Sequence, residues 1–419
     1  MKRGFSFFLT LAISLAALAI NPTATDFSYN QCLGTHRPYP TPATIEAVPD
    51  SLTPFYINHV GRHGARFPAS DKNARVLGNI LAQAESEGTI TPTGKSLLAL
   101  VRYVEQYCNG RWGALDSLGI DEQRGLASRM YMEFPSLFDN TVVSAISSYS
   151  PRCVLSMYEF THQLDRLNNK IEIYTSAGRQ NSPTMRPFDN SPYYKDYVDS
   201  KIWETPYEDY LATCVSANPL RRILGNSFPV RREDIASLCL AEYGFLSSLP
   251  AMGIDIDLKP YFTPEEINGL WAATNLRTYL LRSTSTLSSE PSEIASSLLL
   301  DFIRTTEEAV SGTNPSTVNL RFGHAETLIP FLSLLRISGC YYLTNYFDTV
   351  AQHWQDFNIA PMAANFRMIL FRGPKGTFYV RCDLNERAIP LIPNDSRLII
   401  PWSDARNYMI KCLPLADQL

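Results

Sequence analysis

The chain has 419 residues, 45% of them apolar and 19% charged, enough to bury a core in one large domain or two ordinary ones. Its formal net charge of −4 argues against a general nucleic-acid binder, which carries a basic surface. A small anionic substrate is not excluded, because a local knot of arginines can bind phosphate inside an acidic protein.

In chain order, Lys2 and Arg3 come first, an apolar run fills 5–20, Ala17-Leu18-Ala19 has the A-x-A cleavage form, and polar residues follow at 21–26. This pattern predicts a signal peptide over 1–19 and export to a periplasm or the exterior, with a bacterial setting favoured. The apolar stretch is short for a span, so no stable membrane anchor is expected. Eight cysteines (Cys32, Cys108, Cys153, Cys214, Cys239, Cys340, Cys382, Cys412) are scattered without a C-x-x-C pair. That scatter disfavours a zinc or redox site, and no metal or other cofactor is expected. Disulfides in an exported protein and buried free thiols both remain open readings.

From 57 to about 150, short β-branched or apolar runs alternate with helical patterns, the texture of α/β units. From 156 to 305 tyrosines, Ser/Pro breaks and helix-like stretches such as 234–246 and 264–281 dominate, and strand signals are few. Residues 283–297 are rich in Ser and Thr and read as a loop or linker. Strand signals return at 318–322, ahead of a helix with Leu328, Phe331, Leu332 and Leu335 on one face. Runs at 366–371 and 377–382 then flank Gly373-Pro374-Lys375-Gly376, a hairpin signal. The predicted fold is α/β. Segments 25–155 and 306–419 form a central, mostly parallel sheet flanked by helices, and a mostly α-helical cap over 156–305 is inserted between them.

Three strand-to-helix junctions carry titratable groups. A strand ending at Val60 runs into Gly61-Arg62-His63-Gly64-Ala65-Arg66, in the place where α/β sheets bind ligands. A second strand, 141–147, leads to Ser150-Pro151-Arg152, where Ser150 fits an N-cap, Pro151 the first helical position, and Arg152 the first turn. A helix N-terminus with an added guanidinium makes a strong oxyanion site. The third strand, 318–322, opens through Gly323-His324-Ala325-Glu326 into the Leu-rich helix. If the three strands are neighbours, Arg62, His63, Arg66, Arg152, His324 and Glu326 converge on one spot. Each has an ordinary reading alone, a surface arginine or a helix-capping carboxylate; together they point to phosphate chemistry.

Arg62-His63-Gly64-Ala65-Arg66, followed by Phe67-Pro68, resembles the R-H-G-x-R signature of the histidine acid phosphatases. Arg152 matches that family's third arginine, and Leu118-Gly119 with Gln123 resembles another of its stretches. His324-Ala325-Glu326 departs from the commoner His-Asp pair and is similar to the multiple inositol polyphosphate phosphatase branch. Met185-Arg186-Pro187-Phe188-Asp189, the stretch 361–367 and Leu384-Asn385-Glu386 resemble the same branch. The resemblance runs from about 30 to 410 and implies an α/β core with an inserted α cap.

Arg62, Arg66 and Arg152 can neutralise a phosphate monoester through bidentate hydrogen bonds, with His324 as a further donor. His63 would attack as a neutral imidazole, giving a phosphohistidine, and Glu326 would protonate the leaving alcohol and then activate water. The resemblance implies inositol hexakisphosphate and lower inositol phosphates as substrates, with Lys72 and Arg186 as candidate contacts at the pocket mouth. A broad acid or sugar phosphatase of the same mechanism is the nearest alternative. An exported phosphate- or sugar-phosphate-binding protein is the alternative of another class. Oligomeric state is not legible.

Overall fold

The computed structural model describes residues 27–44 and 47–414, so the signal peptide predicted over 1–19 lies outside the described residues. Eight strands form one sheet: β1 (Thr53–Arg62), β2 (Val142–Ser147), β3 (Glu172–Ala177), β4 (Val318–Gly323), β5 (Asn365–Arg372), β6 (Phe378–Leu384), β7 (Arg387–Ile389) and β8 (Ile399–Pro401). Their order is β3-β2-β4-β1-β5-β6-β7, with β8 also on β6. The core strands β3, β2, β4 and β1 are mutually parallel, and from β5 onward every pairing is antiparallel. The hairpin expected around 373–376 is the β5–β6 turn.

The helices that frame the sheet and the cavity include α1 (Lys72–Ser86), α2 (Pro92–Cys108), α3 (Ser117–Glu133), α4 (Pro151–Leu167), α5 (Asn218–Leu224), α6 (Ile235–Ser248), α7 (Pro264–Arg282), α8 (Ser296–Ser311), α9 (Ala325–Leu334) and α10 (Trp402–Cys412). The period-2 pleat sends alternate β1 side chains to opposite faces of the sheet. Tyr56 and Val60 join a core with Phe302 of α8, Phe331 of α9 and Met409 of α10. Ile57 joins the opposite core with Met130 of α3 and Phe160 of α4. Cover on both faces buries every β1 residue from Tyr56 to Arg62.

A third core lies apart from the sheet and is built mainly from helices, including Leu81 of α1, Val101 of α2, Ile223 of α5, Leu246 of α6 and Trp271 of α7. The helical layer therefore takes in α1 and α2, from the stretch the sequence assigned to the α/β part. Conversely, β3 falls inside the stretch assigned to the cap. It is an edge strand, mostly exposed with Tyr174 facing solvent, so its sequence carries few of the apolar residues that mark a buried strand. Nor is 283–297 a free linker. Ser283, Ser285 and Ser292 are buried, and the Ser283 hydroxyl bonds that of Ser333 at 2.9 Å, so a polar stretch is packed by satisfying its own hydroxyls.

All eight cysteines are free, seven of them buried, which answers the open choice between disulfides and buried thiols for the described residues. The run Arg232–Met252 is long and apolar enough to span a membrane by length and composition, but α6 within it supplies Leu238, Tyr243 and Leu246 to the helical core.

Glu242 of α6 is fully buried, and neither carboxylate oxygen has a partner among the described residues. Burial pushes its pKa up to about 8, with Glu266 adding and Arg222 opposing. The native state thus holds a proton that the unfolded chain releases above about 4.5. This group's contribution to stability is full below that pH and is lost as pH rises towards 8. Glu242→Gln should therefore flatten the fall in Tm between pH 5 and 8, read by calorimetry. An unchanged slope would assign the pH dependence to other groups.

Candidate active site

The three junction strands are adjacent, and their C-terminal ends are level: Arg62 pairs with Gly323, and Ser147 with Phe322. The loop after β1 is tied to its neighbours. His63 N–H donates to Gly323 O at 3.0 Å, and Ala363 N–H donates to His63 O at 3.0 Å. The loop then presses against the first turn of α3. A Cβ on Gly64 would lie 2.4 Å from Gly119 O, and one on Gly119 would lie 2.1 Å from Ala65 O, so neither position admits a side chain. Around that contact Gln123 Nε2 donates to Arg62 O (3.1 Å) and Ala65 N–H donates to Glu122 Oε2 (2.7 Å). This is what Leu118-Gly119 and Gln123 do: they brace the arginine–histidine loop.

At the second junction Ser150 occupies the N-cap position of α4 and Pro151 the first turn as expected, but the Ser150 side chain makes no capping bond. Arg152 follows in that turn. At the third, His324 is the N-cap residue of α9 and Glu326 lies in its first turn.

A cavity of about 170 Å³ opens between these ends and α7. Arg62, His63, Arg66, Arg152 and Glu326 line it, together with Arg277 and Arg282 of α7. His63 is 3% exposed, and its Nδ1 lies 2.9 Å from Gly64 O. A carbonyl only accepts, so Nδ1 carries the proton and Nε2 keeps its lone pair. Burial, then the charges of Arg62, Arg66 and Arg152, hold the ring's pKa well below its usual value. The imidazole is neutral and nucleophilic even in acid.

Arg62 Nη1 is anchored on Thr35 O (2.6 Å) and Ala360 O (2.7 Å), and Arg66 Nη1 on Phe67 O (2.8 Å). The Nε–H groups of Arg62, Arg66 and Arg152 are buried without partners among the described residues. Burial and mutual repulsion pull Arg62 to about 10 and Arg66 to about 9, and both stay charged at neutral pH.

The Glu326 side chain is 40% exposed and lies 3.9 Å from Arg282 Nη2. Withdrawal from water works to raise its pKa, but Arg282, its own backbone N–H and Arg62 outweigh that and hold it below the usual carboxylate range.

Lys72 does not reach this cavity. It lines a neighbouring one of about 270 Å³ that shares Arg66 as its wall. Arg186 does not line either cavity; it lies behind His324, bonded to that ring and to Asp189. Sequence reasoning missed Arg277, Arg282 and Glu122. The signal for the arginines was two cations on a helix whose Leu276, Tyr279 and Leu280 are all buried. For Glu122 it was a carboxylate one residue before Gln123. Among the described residues, no group of three or more His, Cys, Asp or Glu side chains is placed to hold a metal ion.

No protein-family model matches the chain. Multiple inositol polyphosphate phosphatase 1 of Homo sapiens is 24% identical to it over 406 residues, covering 90% of this chain and 82% of the relative. The protein of that name from Gallus gallus is 24% identical over 405 residues, covering 87% and 83%. Among solved structures, the multiple inositol polyphosphate phosphatase of Bifidobacterium longum with phosphate has a TM-score of 0.78 at 17% identity, over 92% of this chain and 99% of that one. The same enzyme with inositol hexasulfate scores 0.76, at 17% identity and the same coverage. The phytase from D. castellii scores 0.72 at 17% identity, over 91% and 85%. The chain thus has the fold of the histidine acid phosphatases, and over most of its length it is similar to inositol polyphosphate phosphatases and phytases, which are phosphoric monoester hydrolases.

Proposed function

We propose that this chain removes phosphate from inositol polyphosphates such as inositol hexakisphosphate through a phosphohistidine on His63. The observation that carries the reading is the set of three buried, unpartnered arginine Nε–H groups around a neutral histidine. A phosphoryl group's oxygens would satisfy those donors and spread its charge, while Nε2 of His63 approaches phosphorus in line. Arg277, Arg282 and, in the neighbouring cavity, Lys72 exceed what one phosphate needs and fit a substrate carrying several. The names of the relatives point the same way.

The proton inventory suits acid conditions. Arg282 and Arg62 keep Glu326 ionised, so its proton must arrive with the substrate; a phosphate monoester keeps one up to a second pKa of about 6. Bound phosphate also offsets the arginines that hold the carboxyl down. Glu326 then gives the proton to the departing alkoxide as the P–O bond breaks and the P–N bond forms. In the second step it takes a proton from water, whose oxygen displaces His63 from phosphorus and releases inorganic phosphate. We further propose, from the leader pattern at 1–19, that this takes place outside the cytoplasm.

Phosphate release from inositol hexakisphosphate and from glucose 6-phosphate tests the substrate reading, with products followed by chromatography. We expect kcat/KM to favour the hexakisphosphate by 10-fold or more, about 1.4 kcal/mol. Equal values would leave a broad acid or sugar phosphatase.

A further inference from the structure

Two guanidinium groups face one imidazole at His324. Arg152 Nη2 lies 3.3 Å from Nδ1, and Arg186 Nη1 lies 2.9 Å from Nε2. Ser148 Oγ, which accepts from Ser150 N–H at 3.2 Å, lies 3.0 Å from the same Nε2. A guanidinium only donates, and an imidazolium could accept from neither arginine. A neutral ring has a single acceptor nitrogen, the other carrying the proton. The two arginine contacts therefore cannot both be hydrogen bonds, and the tautomer depends on which arginine is held more firmly.

Arg186 is the firmly held one. Its Nε donates to Asp189 Oδ2 at 2.6 Å and its Nη2 lies 3.4 Å from Oδ1, a two-point clamp. The rings of Tyr149 and Phe188 lie against its guanidinium, each 4.8 Å away. Arg152, by contrast, faces the cavity, and among the described residues the longer contact to Nδ1 is its one hydrogen-bond contact to a side chain. A phosphoryl oxygen entering the cavity would draw Arg152 away from Nδ1 and leave that nitrogen facing the anion.

We propose that Arg186, clamped by Asp189, is a positioning residue that fixes His324 as the Nδ1–H tautomer, so that the ring meets the phosphoryl group with a hydrogen-bond donor rather than a lone pair. The inference rests on the phosphatase reading and replaces the expectation that Arg186 touches the substrate directly. It works as other histidine partners do, by engaging one ring nitrogen to decide what the other presents. The adjacent Met185 backbone supports the same arrangement: its carbonyl accepts from the Thr327 hydroxyl (2.7 Å), which in turn accepts from His324 N–H (3.1 Å).

The test is carried out on the full chain. Long-range ¹H–¹⁵N correlation of the histidine rings without ligand reads the tautomer independently of turnover. We expect His324 protonated at Nδ1 in the wild type and redistributed towards Nε2–H in Arg186→Met. On p-nitrophenyl phosphate, which has no peripheral phosphate, Arg186→Met should lose roughly 10²-fold in kcat/KM, the scale of one lost transition-state donor. Arg186→Lys, which still donates to Nε2, should restore part of both signals. An Nε2–H ring in the wild type overturns the proposal. So does a loss confined to inositol hexakisphosphate with aryl phosphate turnover intact, which would make Arg186 a substrate contact. A wild type inactive on every monoester would sink the phosphatase reading instead, and the ring spectrum would still decide the tautomer.

Discussion

His63→Ala is expected to stop phosphate release from every substrate, by at least roughly 10³-fold in kcat, while the protein still folds. No other group near the cavity can replace it. His324 has arginines on both ring nitrogens. The Cys153 thiol is buried, pushed up to about 12 mainly by that burial, and turned onto Gly323 O at 3.1 Å. The variant removes one ring from the end of β1, while the backbone bonds joining the loop to Gly323 and Ala363 involve no His63 side-chain atom. Its melt should therefore remain cooperative, and it should still bind inorganic phosphate through the arginines. Alkaline quenching of the wild type during turnover of ³²P-labelled substrate should leave label on a histidine, stable to alkali and lost in acid. A variant that keeps a few per cent of activity, or a wild type that carries no acid-labile label, would move the nucleophile elsewhere.

What the sequence disclosed about this site follows chain proximity. Arg62, His63 and Arg66 fall within five residues, so their joint exposure at one strand end could be read directly. That Arg152 and Glu326 join them depended on the strand order β2-β4-β1, which a sequence can pose only as a condition. Arg277 and Arg282 escaped because they come from α7 in the helical layer, and nothing local says which cap helix leans over the sheet. Arg186 shows the opposite failure. It was singled out by motif, but its direction is set by Asp189 three residues on and by the ring of His324, 138 residues away.

The fold was legible to the same degree. Strands β1, β2 and β4 and the β5–β6 hairpin carry enough β-branched and apolar residues to be read as strands because the sheet's two cores bury them. The edge strand β3 does not, and was absorbed into the cap. Helices α1 and α2 have apolar faces like any others; only their partners, α5 and α6, place them in the helical layer.

Glu326→Gln separates the proton donor from the charge clamp. The amide has nearly the same size and still hydrogen-bonds, but it can neither give nor take a proton. An inositol alkoxide is a poor leaving group, so inositol hexakisphosphate should lose most of its kcat, on the order of 10²- to 10⁴-fold for one acid–base group. p-Nitrophenolate departs without protonation, and its first step should change little. Removing the carboxylate also removes the negative charge that offsets Arg282 and Arg62, so the pocket becomes more cationic and should bind inorganic phosphate more tightly. Dephosphorylation has no such escape, because water still needs a base. With the aryl ester the variant should therefore show a burst of p-nitrophenolate equal to the enzyme concentration, followed by a slow steady state, with phosphohistidine accumulating. Stopped-flow absorbance and quenched phosphoenzyme measurements read the two steps separately. Small, equal losses on both substrates with no burst would reduce Glu326 to a first-turn carboxylate that stabilises α9, worth less than about 1 kcal/mol through the helix dipole. The acid would then have to come from elsewhere in the pocket, and Glu122, which burial pushes up to about 7 beside the arginine–histidine loop, would be the next group to change.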